Sequence, residues 1–251
     1  MSTITSSLSE GVCTIAFNRP EALNAFTPDV LKALIENVET ADRDPDAKVI
    51  VLTGNGRAFS AGVDLKLLQS VTPVAGGIGD VFDGAAARAA ETIRTASTPV
   101  IARVHGACFT GALELALHCD FILTTEDTKF GDTHVKWGLR PSWGMSQNLA
   151  RAVGVRRARE LSFTARTFSG VDAARWGVVN EAAPSIDALD EMVLARAKAI
   201  AGASPGAVSA YKDLYRLHEE NRALEDALAR EVAREYPQIT DTEDRLKAFG
   251  K

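Results

Sequence analysis

Two glycine-bearing segments hold the residues of this 251-residue chain best suited to chemistry. The first, GNGRAFSAGVDLK, spans Gly54 to Lys66 and follows the apolar run Lys48 to Thr53 (KVIVLT). The second, HGACFTGALELALHCD, spans His105 to Asp120 and follows Pro99 to Val104 (PVIARV). In each, a small-residue turn leaves a buried strand and enters helix-forming sequence, so peptide N–H groups lie free at the turn. Two such turns on neighbouring strands can aim two backbone donors at one carbonyl oxygen. That is an oxyanion hole, in which one donor supplies roughly 3 kcal/mol of transition-state stabilisation. On spacing alone the simpler account is two ordinary strand-to-helix turns whose glycines supply unusual backbone angles.

Glu114 falls in the first turn or so of the helix expected from Gly111, where the helix dipole stabilises a carboxylate. Ala112, Leu113, Leu115, Ala116 and Leu117 make that helix apolar on nearly every side, so it reads as buried. A buried, unpaired carboxylate is costly, and where one persists proton transfer competes with the dipole account. Other chemistries lack their fingerprints. GxxxxGK[ST], HExxH and GxSxG do not occur, and Gly54-Asn55-Gly56 lacks the third glycine of a dinucleotide loop. The four histidines, at 105, 118, 134 and 218, are too scattered for metal-ligand spacing, so no metal is expected.

The elements that must position these segments alternate between strand and helix. Val12 to Phe17 (VCTIAF) is β-branched and aromatic, and Asn18-Arg19-Pro20 closes it. Thr27-Pro28 reads as an N-cap with proline at the first helical position, and Val30, Leu31, Leu34, Ile35, Val38 and Ala41 recur at helical spacing. KVIVLT suits a strand buried on both faces. Asp83 to Ala96 is helix-forming, and PVIARV returns to strand. Asp120 to Thr124 (DFILT) is a further strand, and Ser142 to Val153 and Val155 to Leu161 are helical. Gly177 to Asn180 is the last expected strand. This is an α/β pattern. From about Ile186 the signals are helical only, first through Leu189, Val193, Leu194, Ala197 and Ile200, then from Pro205 to Tyr236. The loop Val71 to Asp80 (VTPVAGGIGD) has little to bury and is expected to be mobile.

Composition bounds the partners. Lys+Arg 28 against Asp+Glu 33 gives a net charge of −5, with 46% hydrophobic and 24% charged residues, which is ordinary globular composition. Disorder and collagen-like repeats are excluded. A mildly acidic chain has no broad cationic field for nucleic acid or an anionic membrane, so any anion must be held locally. Cys13, Cys108 and Cys119 match neither a disulfide framework nor a zinc site and are expected as structural thiols in a reducing compartment. The start MSTITSSLSE carries no targeting pattern, so the cytoplasm is expected. Pro99 to Thr125 is interrupted by charges far short of the ~20 apolar residues of a membrane span.

Four segments in order carry a resemblance: NRPEALNAF (Asn18 to Phe26), GNGRAFSAGVDLK, HGACFTGALELALHCD, and FGDTHVKWGLRPSWGMSQNLARAVG (Phe130 to Gly154). Together they resemble the signatures of the enoyl-CoA hydratase/isomerase, or crotonase, superfamily over roughly residues 10 to 185. The resemblance implies an α/β fold with a crotonase-like ββα spiral core over 1–189. A helical C-terminal region over 190–251 would serve trimerisation, giving a homotrimer or a dimer of trimers. It implies an acyl-CoA substrate, with coenzyme A part of that substrate and no separate cofactor. It assigns the oxyanion hole to the N–H groups of Val63 and Gly111, and the CoA arm to Leu23, Ala25, Ala61, Asp64, Leu65 and Lys66. Lys66 meets CoA phosphate or is simply solvated, and the Arg151, Arg156, Arg157, Arg159 group is weighted towards a surface helix.

Hydratases of this family use two glutamates. Glu114 matches the first, whereas the second position holds His134. Histidine, with a reference pKa of about 6.5, can still accept or donate a proton at neutral pH. Glu114 within reach would favour imidazolium, a donor to the substrate's α-carbon. The alternative is that His134 only fills the pocket, leaving Glu114 as sole catalyst. Asp132, two residues away, would point to the opposite side of an extended segment. The single-glutamate isomerases keep the second acid and lose the first, the inverse of this pattern. The expected function is hydration of a 2-enoyl-CoA. The alternatives are another crotonase-type reaction (hydrolysis, isomerisation or C–C cleavage) and a non-catalytic acyl-CoA-binding member. Trp137 and Trp143 are expected in the core rather than in a substrate wall.

Overall fold

The computed structural model describes residues 2–70, 76–219, 235–237 and 239–240. Strands β1 (Ile4–Ser9) and β2 (Val12–Phe17) form an antiparallel pair, followed by α1 (Pro28–Arg43), β3 (Val49–Gly54), α2 (Leu65–Leu68) and α3 (Asp80–Thr95). β4 (Val100–Val104), β5 (Ala107–Phe109), α4 (Gly111–Ala116), β6 (Phe121–Thr125) and β7 (Lys129–Gly131) come next. The chain then runs through α5 (Met145–Val153), α6 (Val155–Thr164), β8 (Phe168–Ser169), α7 (Gly170–Trp176), β9 (Glu181–Ala183), α8 (Ile186–Ala201) and α9 (Pro205–Glu219). One sheet has the order β1-β2-β3-β4-β6-β9, parallel from β2 onward. A second has the order β5-β7-β8.

α1 begins where its sequence says it should. The Thr27 hydroxyl accepts from Val30 N at 3.3 Å and Pro28 occupies the first turn. Its apolar stripe of Val30, Leu31, Leu34, Ile35, Val38 and Ala41 is buried, and full burial of each larger side chain contributes about 2 kcal/mol. β3 is apolar throughout because both faces are covered. Ile50 and Leu52 enter the core shared with α1 and α3, while Val49 and Val51 pack with Leu189, Val193 and Ala197 of α8. α8 therefore covers the sheet's second face, and it begins at Ile186, ahead of the 189/190 division. Cys13 and Cys108 are buried, Cys119 is half-buried, and all three are free thiols.

Several elements differ from expectation. β1 escaped notice because five of its six residues are exposed and mostly serine or threonine; backbone pairing with β2 makes it a strand. The last strand is Glu181–Ala183, not Gly177 to Asn180, which turns instead and donates Asn180 N to Ile122 O. Of the loop from Val71, residues 71–75 lie outside the described residues. Gly76 to Gly79 is anchored, with Ile78 buried and Gly76 O accepting from Arg140 N at 3.0 Å. The run expected from Pro205 to Tyr236 is helical to Glu219, and residues 220–234 lie outside the described residues.

Candidate active site

The two glycine-bearing segments meet beside β5. Ser60 N donates to Ala107 O and Phe109 N to Ser60 O, which seats the first segment along the strand within the second. The Ser60 hydroxyl, fully buried, donates to Asn24 O and accepts from Gly62 N. Phe26 N donates to Gly62 O at 2.7 Å and Asp64 N to Phe26 O at 2.9 Å, leaving Val63 N between them with no protein acceptor among the described residues. Gly111 N, at the start of α4, likewise has none among the described residues. Gly62 must be glycine: its φ is +89°, and a Cβ there would lie 2.4 Å from Thr110 Oγ1 and 3.5 Å from Gly111 N. The two free donors thus come from turns in direct contact.

Asn24, which the sequence reading passed over, ties these pieces together. Buried and left-handed (φ +54°), it donates through Nδ2 to Asn55 O and Ala58 O and accepts through Oδ1 from Arg19 N. Its sequence signal was the tolerance of asparagine for that backbone region.

A cavity of about 300 Å³ opens beside Val63, and Gly111 stands between the lining residues Thr110 and Glu114 without lining it itself. Ala61, Val63 and Leu65 line it, as do Thr110, Glu114 and His134. Leu23, Ala25, Asp64 and Lys66 lie outside this lining. Asp64 caps α2 through Lys66 N and pairs with Arg19 at 3.1 Å.

Glu114 is 1% exposed. Its Oε1 accepts from Trp143 N at 3.0 Å and Met145 N at 3.1 Å, and its Oε2 stands 3.5 Å from His134 Nε2. Burial pushes its carboxyl above the usual range, against the His134 charge and the two backbone donors. His134 Nδ1 lies 2.7 Å from Asp132 Oδ1. Burial alone would lower the imidazole's pKa, but the Asp132 hydrogen bond and the charges of Glu114 and Asp132 outweigh it and raise it.

Asp132 corrects an expectation. The strand ends at Gly131 and the chain enters a 3-10 turn over His134–Trp137, so the alternation of an extended segment is lost. Asp132, 2% exposed, bonds both His134 N and the His134 ring, and the Ser162 side chain also bonds it. Burial opposes its ionisation, but these bonds together hold its carboxyl below the usual range.

Trp143 is buried as expected yet also lines the cavity. A Cβ on Gly111 would meet its ring at 2.4 Å, and its Nε1 donates to Asp83 Oδ1, which also accepts from Ser142 Oγ. Trp137 departs from the core expectation: it is 56% exposed and forms cavity wall. Arg151, Arg156, Arg157 and Arg159 stand on α5 and α6 away from the cavity, with Arg157 stacked 4.7 Å over Trp176. Among the described residues no helix is long and apolar enough to cross a membrane.

Comparison with known proteins identifies the family. The family model for enoyl-CoA hydratase/isomerase matches residues 7–249. A probable enoyl-CoA hydratase of Rhizobium meliloti is 35% identical over 239 residues, covering 94% of this chain and 89% of that protein. A hydroxycinnamoyl-CoA hydratase-lyase of Pseudomonas fluorescens is 33% identical over 186 residues, 72% of this chain and 67% of that protein. The crystal structure of an enoyl-CoA hydratase from Bacillus anthracis superposes with a TM-score of 0.87 at 28% identity, covering 98% of this chain and 94% of that one. With a family model spanning nearly the whole sequence and the fold matched end to end, the chain belongs to the enoyl-CoA hydratase/isomerase, or crotonase, family.

Proposed function

We propose that the chain is an enoyl-CoA hydratase that adds water across the double bond of a 2-enoyl-CoA thioester. The observation that carries this reading is the Glu114 carboxylate, buried at the cavity with Oε1 held by two backbone donors and Oε2 facing His134 at 3.5 Å. The thioester oxygen accepts from Val63 N and Gly111 N, which withdraws charge from the conjugated double bond. Glu114 takes a proton from water as the water oxygen bonds to the β-carbon, and charge passes to an enolate at the thioester. His134, as imidazolium, gives its Nε2 proton to the α-carbon and remains hydrogen-bonded through Nδ1 to Asp132. Transfer of the captured proton from Glu114 Oε2 to His134 Nε2 restores the starting state.

The test is the conjugated-thioester absorbance of crotonyl-CoA and longer enoyl-CoA esters mixed with purified protein. Loss of absorbance with formation of the 3-hydroxyacyl ester is expected. Unchanged absorbance alongside measurable ester binding overturns the assignment.

One observation favours a second reading. A histidine whose Nδ1 is fixed by a buried aspartate can also act as a base on water attacking the thioester carbon, giving acyl-CoA hydrolysis. Free-thiol release distinguishes it from hydration. A homotrimer or dimer of trimers built through the helical region belongs to the same proposal. Leu194, Tyr211 and Tyr215, exposed on α8 and α9, support it, and sedimentation checks it.

A further inference from the structure

The sequence requires a chain of net charge −5 to hold any anion locally, and the cavity has cations placed to do so. Its charged lining residues are Glu114 and His134, which face each other, and Lys136 and Arg140. Neither Lys136 nor Arg140 has an ion-pair partner among the described residues, and residues 71–75 (VTPVA), next to the anchored Gly76, contain no charged side chain. Both cations project from the segment that begins with His134, so one local structure sets their distance from the reacting atoms. Lys136 stands in the 3-10 turn, with its N–H donating to Thr133 O. Arg140 is anchored by its backbone N–H on Gly76 O at 3.0 Å, and a Cβ at Gly76 would lie 3.5 Å from its Cγ. The rest of the lining is apolar or uncharged, including Leu65, Leu68, Ile78 and Leu139. Lys136 and Arg140 are both exposed, so the attraction they exert on an anion is screened by solvent and weakens with added salt.

We propose that Lys136 and Arg140 form an anion subsite of the cavity, taking a negatively charged group of the thioester ligand. This rests on the acyl-CoA reading above and deepens it. The anionic group has two chemical sources, a carboxylate on the acyl portion or a phosphate of the CoA arm. The first source makes thioesters of dicarboxylic acids the preferred substrate class.

The test is equilibrium binding by calorimetry of four saturated ligands that cannot be hydrated: butyryl-CoA, glutaryl-CoA, butyryl-pantetheine and glutaryl-pantetheine. Wild type is compared with Lys136→Ala/Arg140→Ala and with the charge-conserving Lys136→Arg/Arg140→Lys. If the acyl carboxylate is the anion, the alanine variant loses about tenfold or more in affinity for both glutaryl esters and little for butyryl-pantetheine. If a CoA phosphate is the anion, both CoA esters weaken by that factor and neither pantetheine ester does. Either pattern, with affinity retained in the charge-conserving variant and salt dependence flattened in the alanine variant, supports the subsite. Affinities within twofold of wild type for all four ligands overturn it, as does an equal loss for all four including butyryl-pantetheine. Binding without turnover of enoyl esters would count against the hydratase assignment and leave the subsite standing. Failure of wild type to bind any of the four would remove both.

Discussion

His134 Nε2 stands 3.5 Å from Glu114 Oε2, and the opposite nitrogen of the same ring stands 2.7 Å from Asp132 Oδ1. One imidazole thus lies between two buried carboxylates, an arrangement that favours its protonated form. A second histidine, buried elsewhere in the fold, has the opposite fate. His105 is lowered by burial, and the Arg103 guanidinium against its Nδ1 adds to the effect. Its Nε2 then donates to Gly56 O as a neutral ring. Partner charge, more than burial, separates the raised imidazole of His134 from the lowered one of His105.

Glu114→Gln keeps the shape of the side chain and an oxygen for Trp143 N and Met145 N, but cannot accept a proton. A fall in kcat of about 10²- to 10⁴-fold is expected with the thermal midpoint retained. Steady-state kinetics beside a melting curve would show it. A non-catalytic member of the family would lose nothing.

The pH profile of kcat/KM, which reports the unliganded protein, should be bell-shaped. The raised carboxyl of Glu114 sets the acid limb above the usual carboxylate range, and the raised imidazole of His134 sets the alkaline limb above 6.5. The proposed mechanism needs Glu114 ionised and His134 protonated, so activity should rise through the first value and fall through the second. The contribution of His134 to stability follows the same sign. It is complete below the unfolded value and is lost as pH rises through the folded one.

Asp132→Asn removes the negative charge and leaves only a neutral amide oxygen to accept from the imidazolium. The alkaline limb should move to lower pH while the acid limb changes less. A uniform loss of activity with both limbs unmoved would mean that Asp132 serves only the fold. The same comparison by NMR titration of the His134 ring gives a direct reading.

Gly111→Ala places a methyl group 2.4 Å from the Trp143 ring. Trp143 is buried and tethered through Nε1 to Asp83, so it cannot yield without disturbing the backbone donors on Glu114. Overpacking of about 1–3 kcal/mol is expected, with kcat reduced as well. Denaturant unfolding and kinetics on the folded fraction separate the two effects.

Asp83→Ala tests the tether itself. Loss of its bonds to Trp143 Nε1 and Ser142 Oγ should cost about 1–2 kcal/mol. A red shift in tryptophan emission and a lower kcat at retained fold would place Asp83 in support of the Glu114 carboxylate.

Much of the architecture was legible because it rests on local chemistry. VCTIAF and KVIVLT read as strands because β-branched residues buried on one or both faces leave a plain pattern, and Thr27-Pro28 announces a helix by its cap. The two glycine-bearing turns and the carboxylate at Glu114 could be singled out by residue type, and ordered motifs named the family. β1 was illegible, since an exposed run of serine and threonine becomes a strand only through pairing with β2.

What tertiary structure alone decided is who faces whom. The chain's turn after Gly131 brings Asp132 to the same side as His134, where an extended reading sends them apart. The same packing puts Trp137 in the cavity wall, hands Glu114 its backbone donors from Trp143 and Met145, and lays α8 across the sheet's second face. These are contacts between residues distant in sequence, or reversals of direction within a few residues. Residue type and spacing do not encode them, because they depend on where the rest of the chain has already packed.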